Sequence, residues 1–244
     1  MNDRLLSVEG VTKKFGGLVA VNNADLHVRK HEVVGLIGSN GAGKTTLFNL
    51  IAGDLQPTSG KVVYQGREIQ ALPPYRICRL GVARTYQIVK PFSELTVLEN
   101  VMVGAFLRRS RTWEVRDHAE EVLKTVGLIE LRHVVGKDLN LPQLKRMELA
   151  RALATQPELL MLDEVMAGLN PVESAKVIEL VRSIGERGTT LLIIEHVMKA
   201  IMSLSHRVLR HESGEGHRRG RAGGRRAQSR GDQVVPGRTR ACLT

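Results

Sequence analysis

Residues Gly38-Ser39-Asn40-Gly41-Ala42-Gly43-Lys44-Thr45, followed by Thr46, fit the spacing G-x-x-x-x-G-K-[ST]. Glycines at these steps let backbone N–H groups turn inward around phosphate oxygens. A helix N-terminus just behind them adds partial positive charge. Lys44 would reach the terminal phosphates, and the Thr45 hydroxyl would ligate Mg2+. The bland reading is a glycine-rich strand-to-helix turn. The flanks argue against it: VVGLIG before the loop is a continuous apolar run, and TLFNLIAG after it has helical spacing.

Asp163 and Glu164 end a second apolar run, PELLMLDE. A carboxylate there is costly unless something pairs with it. Beside a phosphate loop, Asp163 can hold Mg2+ through water, and Glu164 can polarise an attacking water. Their structural alternative is a strand-end acid capping the next helix. His196 closes a third run, LLIIEH; it is either structural or placed to bond a γ-phosphate. Gln87, in VARTYQIVKPF, is either an exposed loop glutamine or a link between two parts of the chain. Phe15, in KKFGG, is either a core aromatic or a stacking surface for a base.

Positioning these groups requires a parallel sheet. SVEGVTKKF and NADLHVRKH alternate like an antiparallel strand pair. The runs VVGLIG, PELLMLDE and TTLLIIEH read as strands buried on both faces, with NPVESAKVIELVRSIGERG as a helix between the last two. That alternation implies crossover helices, and ligands then lie beyond the carboxyl ends of the strands. From about 94 to 155 the texture changes to helical spacing, which predicts a helical subdomain.

Bulk properties narrow the class. The 244 residues are ordinary in apolar (42%) and charged (25%) fraction but poor in aromatics (3%), so an aromatic-dependent site has few candidates. Cys78 and Cys242 have neither disulfide-framework nor metal spacing and suggest a reducing compartment. The N-terminus lacks a signal peptide's apolar stretch, and no run spans a bilayer. The net charge of +11 invites a nucleic-acid reading, but nine arginines against three acids fall from Arg210 onward. The basicity belongs mainly to an Arg/Gly-rich tail expected to be disordered, so a nucleic-acid partner is disfavoured.

The ordered set FGGLVAVNN, GSNGAGKTTLFNLIAG, ARTYQIVKPF, ARALATQPELLMLDE and AGLNP resembles the ATP-binding subunits of ABC transporters, closest to branched-chain amino acid importers. The resemblance covers about residues 5–209. It implies an α/β P-loop NTPase (RecA-like) with a parallel-sheet core, an N-terminal antiparallel β subdomain and a helical subdomain. It implies Phe15 as adenine platform, Gly38 to Thr46 as the Walker A loop, and Gln87 as the Q-loop residue sensing Mg2+ and contacting membrane subunits. Asp163 becomes the Walker B aspartate, Glu164 the catalytic base, Gly168 to Asn170 the D-loop, and His196 the switch histidine. The implied cofactors are ATP and Mg2+. The implied partners are membrane permease subunits, a second ATP-binding subunit (identical or not) in a head-to-tail dimer, and indirectly a solute-binding protein. The implied location is the cytoplasmic face of the inner membrane, held peripherally.

Departures from the pattern are equally specific. The family's signature, LSGGQ or LPYGQQ-like in this branch, precedes the ARAL helix. Here Leu141-Pro142 runs directly into Gln143-Leu144-Lys145-Arg146, which lacks the Tyr-Gly pair. Removing two residues turns what precedes the helix by about 200° around its axis. This predicts impaired cooperative hydrolysis, and an ATP-binding relic or regulator is the alternative function. Val165 replaces a usual Pro, and Val197 a frequent Asp. After residue 209 the family's last strand and ending are replaced. Codons for residues 211–237 can be chosen that, read one base later, give MNQAKVIAEGAPADVARNPEVIKSYLG, the family ending. The expectation is an ATPase domain over 1–209 and an out-of-frame tail over 210–244.

Overall fold

The computed structural model describes residues 3–211 and 235–236. Strands β1 (Arg4–Phe15) and β2 (Leu18–Arg29) pair antiparallel around a tight turn. The short strand β3 (Val33–Ile37) leads through the glycine loop into helix α1 (Lys44–Ala52), which ends on left-handed Gly53. Strands β4 (Ser59–Tyr64) and β5 (Arg67–Glu68) complete a four-stranded antiparallel sheet in the order β2-β1-β4-β5. Helix α2 (Pro74–Leu80) and strand β6 (Val82–Arg84) follow.

The helical part comprises α3 (Val97–Ala105), α4 (Thr112–Thr125) and α5 (Leu141–Ala154). These helices lie within the stretch, about 94–155, whose sequence has helical spacing. Leu98, Val101, Val115, Leu123, Met147 and Ala150 form its own buried core. Gly104 is what lets α3 approach α5: a Cβ there would lie 2.3 Å from the Arg151 carbonyl oxygen.

The chain then returns to the sheet through β7 (Leu159–Asp163), α6 (Pro171–Glu186), β8 (Thr190–Ile194), α7 (Met198–Leu204) and β9 (Arg207–Arg210). Every residue of β7 and β8 is buried, as their unbroken apolar runs require. The second sheet has the order β9-β3-β8-β7-β6 with all neighbours parallel. Val235–Pro236, β10, adds an antiparallel edge on β9. One apolar core fills the space between the two sheets and α1, and a second lies under α6 and α7.

Some elements were not anticipated. The sequence reading contained no helix at 74–80 and no strand at 82–84. Both are short, and α2 starts from Pro73-Pro74 without an acidic first turn or a side-chain cap, so it depends on packing through Ile77. Two residues of the stretch expected to be a disordered tail are ordered: Arg210 belongs to β9, and the His211 N–H reaches the Ile37 carbonyl at 2.7 Å. The remainder of the disordered-tail expectation, 212–234 and 237–244, lies outside the described residues.

Candidate functional site

The loop between β3 and α1 is held open by glycine geometry. Gly43, just before α1, has φ +89°, and a Cβ on it would lie 2.1 Å from the Ala20 carbonyl oxygen of β2. Only glycine satisfies both conditions. Lys44 is 6% exposed, and its Nζ donates to the Gly38 and Ser39 carbonyls, each at 2.9 Å.

Sheet order brings the other candidates to this loop. Because β8 lies between β3 and β7, with β6 outside β7, the carboxyl ends of all four strands meet at one edge. A cleft of about 840 Å³ there is lined by Phe15, Asn40 to Thr46, Gln87, Glu164 and His196. Gly38 and Ser39 border an adjoining cavity of about 250 Å³, together with Glu195, His196 and Arg210. Phe15 is 45% exposed on the cleft wall, with the Lys13 ammonium 5.1 Å from its ring; it is not a core aromatic.

Glu164 is the hub. Its Oε1 lies 2.7 Å from His196 Nε2, and its Oε2 accepts from Gln87 Nε2 at 2.7 Å. Its backbone φ is +50°, a left-handed conformation that costs a non-glycine residue about 1–3 kcal/mol and persists only when its surroundings fix it. They do: the Glu164 N–H donates to Ile194 at 3.0 Å, and its carbonyl accepts from Ala167 N–H at 3.1 Å and Lys145 Nζ at 3.1 Å. Glu195, 4% exposed, accepts the Met166 N–H at 2.9 Å and steadies the same turn. Burial pushes the Glu195 carboxyl above its ordinary range.

Asp163 is fully buried. Burial is the main cause holding its carboxyl above the usual value, opposed chiefly by the Arg84 guanidinium at 3.4 Å. Its Oδ1 has no hydrogen-bond partner among the described residues. A desolvated carboxylate oxygen without a donor suits a cation. With the Thr45 hydroxyl and the Gln87 amide oxygen, the donor set is all hard oxygen, which fits Mg2+.

Two residues of this region, Arg84 and Lys145, are given no role by the sequence. Arg84 joins Asp163 to Asp54 (3.0 Å) and Asn49 (2.6 Å) and stacks over Tyr86 at 4.3 Å. Lys145, 5% exposed, donates to the Gln87 and Glu164 carbonyls. A strand-end arginine and a lysine early in a helix ordinarily point to solvent, so nothing in their spacing marked them.

The start of α5 has an ordinary helix-start geometry. Asn140 caps it: its Oδ1 accepts the Gln143 N–H at 3.1 Å, and Gln143 Oε1 accepts the Asn140 N–H at 3.0 Å. This reciprocal box is a recognised stabiliser of helix starts. Asn170, in the expected D-loop, caps α6 the same way.

A family model described as ABC transporter matches residues 21–167. The high-affinity branched-chain amino acid transport ATP-binding protein LivG of Escherichia coli is 42% identical over 225 residues, covering 85% of this chain and 88% of LivG. Its counterpart BraF of Pseudomonas aeruginosa is 41% identical over 227 residues, covering 86% and 88%. Among solved structures, a nucleotide-free ATP-binding cassette from an ABC transporter superposes with TM-score 0.78 at 28% identity, covering 86% of this chain and 88% of that one. A dimeric cassette in a post-hydrolysis state with ADP and Pi gives TM-score 0.78 at 26% identity, covering 86% and 95%. With these relatives spanning most of the fold and the site, the chain belongs to the ABC transporter family, as one of its ATP-binding, ATP-hydrolysing subunits.

Proposed function

We propose that this subunit drives uptake of branched-chain amino acids or related solutes through partner permeases. The observation that carries the catalytic part is the Gln87–Glu164–His196 hydrogen-bonded set facing the glycine loop across one cleft. The solute class rests on the likeness to LivG and BraF. In this reading the loop N–H groups and Lys44 bind the β- and γ-phosphates, and adenine stacks on Phe15. Thr45, Asp163 and Gln87 would hold Mg2+, which would neutralise phosphate charge when bound. Glu164 accepts a proton from the attacking water, while His196 and Gln87 fix the orientation of its carboxylate. His196 can then turn its ring toward the γ-phosphate.

A second cassette, identical or not, completes each site head-to-tail by presenting the start of α5. The permease partner docks at a groove of about 200 Å³ between the sheet and the helical part, lined in part by Cys78, Tyr86, Val103 and Arg151. Tyr86, Val103 and, nearby in sequence, Phe92 and Phe106 are large and exposed, the apolar character expected of a docking face. No helix among the described residues is long and apolar enough to cross a membrane; a peripheral position on the cytoplasmic face follows from docking to permeases. Likeness at 42% identity to transport subunits favours this reading over a relic that binds ATP without turnover.

Reconstitution with a branched-chain amino acid permease pair and its solute-binding protein tests the proposal. ATP-dependent uptake of labelled leucine or valine is expected, with loss of nucleotide affinity and of uptake in Lys44→Ala. Permease-stimulated hydrolysis without uptake of any branched-chain amino acid would reject the solute class.

A further inference from the structure

We propose that Lys145 is a positioning residue for hydrolysis: from the first turns of α5 its ammonium clamps the Gln87 and Glu164 backbones together and so sets where the base and its glutamine partner stand. The inference rests on the catalytic reading of Glu164 above. Lys145 Nζ donates to the Gln87 carbonyl at 3.2 Å and to the Glu164 carbonyl at 3.1 Å. These two residues also meet through their side chains at 2.7 Å. The lysine therefore closes a ring: α5 to the Gln87 segment, across to Glu164, and back to α5.

Three observations make this more than charge balance. First, a buried ammonium near acids ordinarily pairs with a carboxylate. Asp163, Glu148 and Glu195 all feel the Lys145 charge, yet among the described residues no carboxylate lies within ion-pair distance of its Nζ, which donates instead to two carbonyls. Backbone carbonyl acceptors tie the lysine to the chain path of Gln87 and Glu164 rather than to a side chain. Second, one of those carbonyls belongs to the residue with the left-handed backbone at +50°, a conformation that needs external restraint. Third, the clamp starts on the helix whose first turn carries the Asn140–Gln143 capping box, where the family resemblance places the signature. A shift of α5 when a partner's nucleotide docks there would pull directly on Glu164 and Gln87. That gives the helix start a mechanical route to the base that needs no contact between them.

The test compares Lys145→Met, which keeps most of the packing volume, with Lys145→Arg, which keeps the donors. In Lys145→Met, kcat for ATP should fall by about tenfold to a hundredfold, the effect of misplacing a catalytic group by an ångström or less. KM and the affinity for a fluorescent ATP analogue should stay within about threefold. Lys145→Arg should recover part of the rate. Independently of turnover, amide hydrogen exchange in the ATP-analogue complex should speed up at 164–168 and 87–89, with the 38–46 loop unchanged. A Lys145→Met chain with unaltered kcat and unaltered exchange at 164–168 overturns the proposal. So does parallel loss of rate, affinity and melting temperature with no rescue by arginine, which would mark a purely structural lysine. If the wild-type chain binds ATP but hydrolyses none, the catalytic reading fails, and the exchange comparison alone still decides for or against the clamp.

Discussion

Replacing Glu164 by glutamine isolates proton acceptance from geometry. The side chain keeps its length, so Gln87 Nε2, now 2.7 Å from Oε2, still finds a carbonyl oxygen. The amide nitrogen can face His196 Nε2, now 2.7 Å from Oε1, which accepts from it in the neutral tautomer. The backbone holds Glu164 by its own N–H and carbonyl, so the left-handed turn survives the change. What is lost is the carboxylate that, in the proposed mechanism, takes the proton. General-base contributions are about 10²–10⁴ in rate, or about 3–5 kcal/mol of barrier. The substituted chain should therefore lose at least about a hundredfold in steady-state phosphate release. ATP affinity should hold or improve slightly, since one negative charge leaves a cleft that must take up a triphosphate. Phosphate release paired with titration of a fluorescent ATP analogue reads both quantities. Turnover within about threefold of wild type would refute Glu164 as the base, and a large loss of affinity would show that it serves binding instead.

Two further predictions concern the neighbouring acid and the start of α5. Asp163, Glu148 and Glu195 all have carboxyls raised by burial; a raised carboxyl contributes stability that is complete below the ordinary carboxylate range and is lost as pH rises through the folded value. Asp163→Asn should thus raise the melting temperature of the nucleotide-free chain at mildly alkaline pH by about 2–4 °C, for a relief of about 1 kcal/mol, with the gain shrinking toward mildly acid pH; a lower melting point at every pH would mean that the Arg84 ion pair outweighs burial. Inserting Tyr-Gly between Pro142 and Gln143 should raise cooperative ATP turnover by about a hundredfold, the worth of one donor aimed at developing phosphate charge, and unchanged turnover would show that Asn140-Leu141-Pro142 already suffices.

The glycine loop and the three buried strands were legible because each is contiguous: eight residues fix the loop, and unbroken apolar runs fix the strands. The helical part was legible from its change of period. What could not be read was convergence. Gln87, Glu164 and His196 stand in separate segments, and only the order β3-β8-β7-β6 makes them neighbours. Nothing local announces that Glu164 would accept from both. Arg84 and Lys145 were hidden for a related reason: charged residues in short or amphipathic elements read as solvent-facing, and their burial at 7% side-chain and 5% residue exposure is a product of tertiary packing. Helix α2 was invisible because it is short and has no side-chain N-cap, and its existence depends on Ile77 meeting the core.

At the start of α5, where the family resemblance implies a two-residue gap, the demands of fold and function can part. A helix N-terminus reads an anion through the free N–H groups of its first turn. Here Asn140 and Gln143 build a full capping box, so the fold absorbs the gap and the helical core behind it stays packed. The same box removes donors. Pro142 has no N–H, the Gln143 N–H is held by Asn140, and the Leu144 N–H bonds the Asn140 carbonyl at 2.9 Å. Among the described residues, Leu141 is left with the one first-turn N–H that these contacts do not use. A stable cap and an anion-reading end compete for the same groups, and in this chain the cap holds them. Stability measurements should therefore be blind to the missing Tyr-Gly pair, whereas the rate of hydrolysis across a dimer should register it.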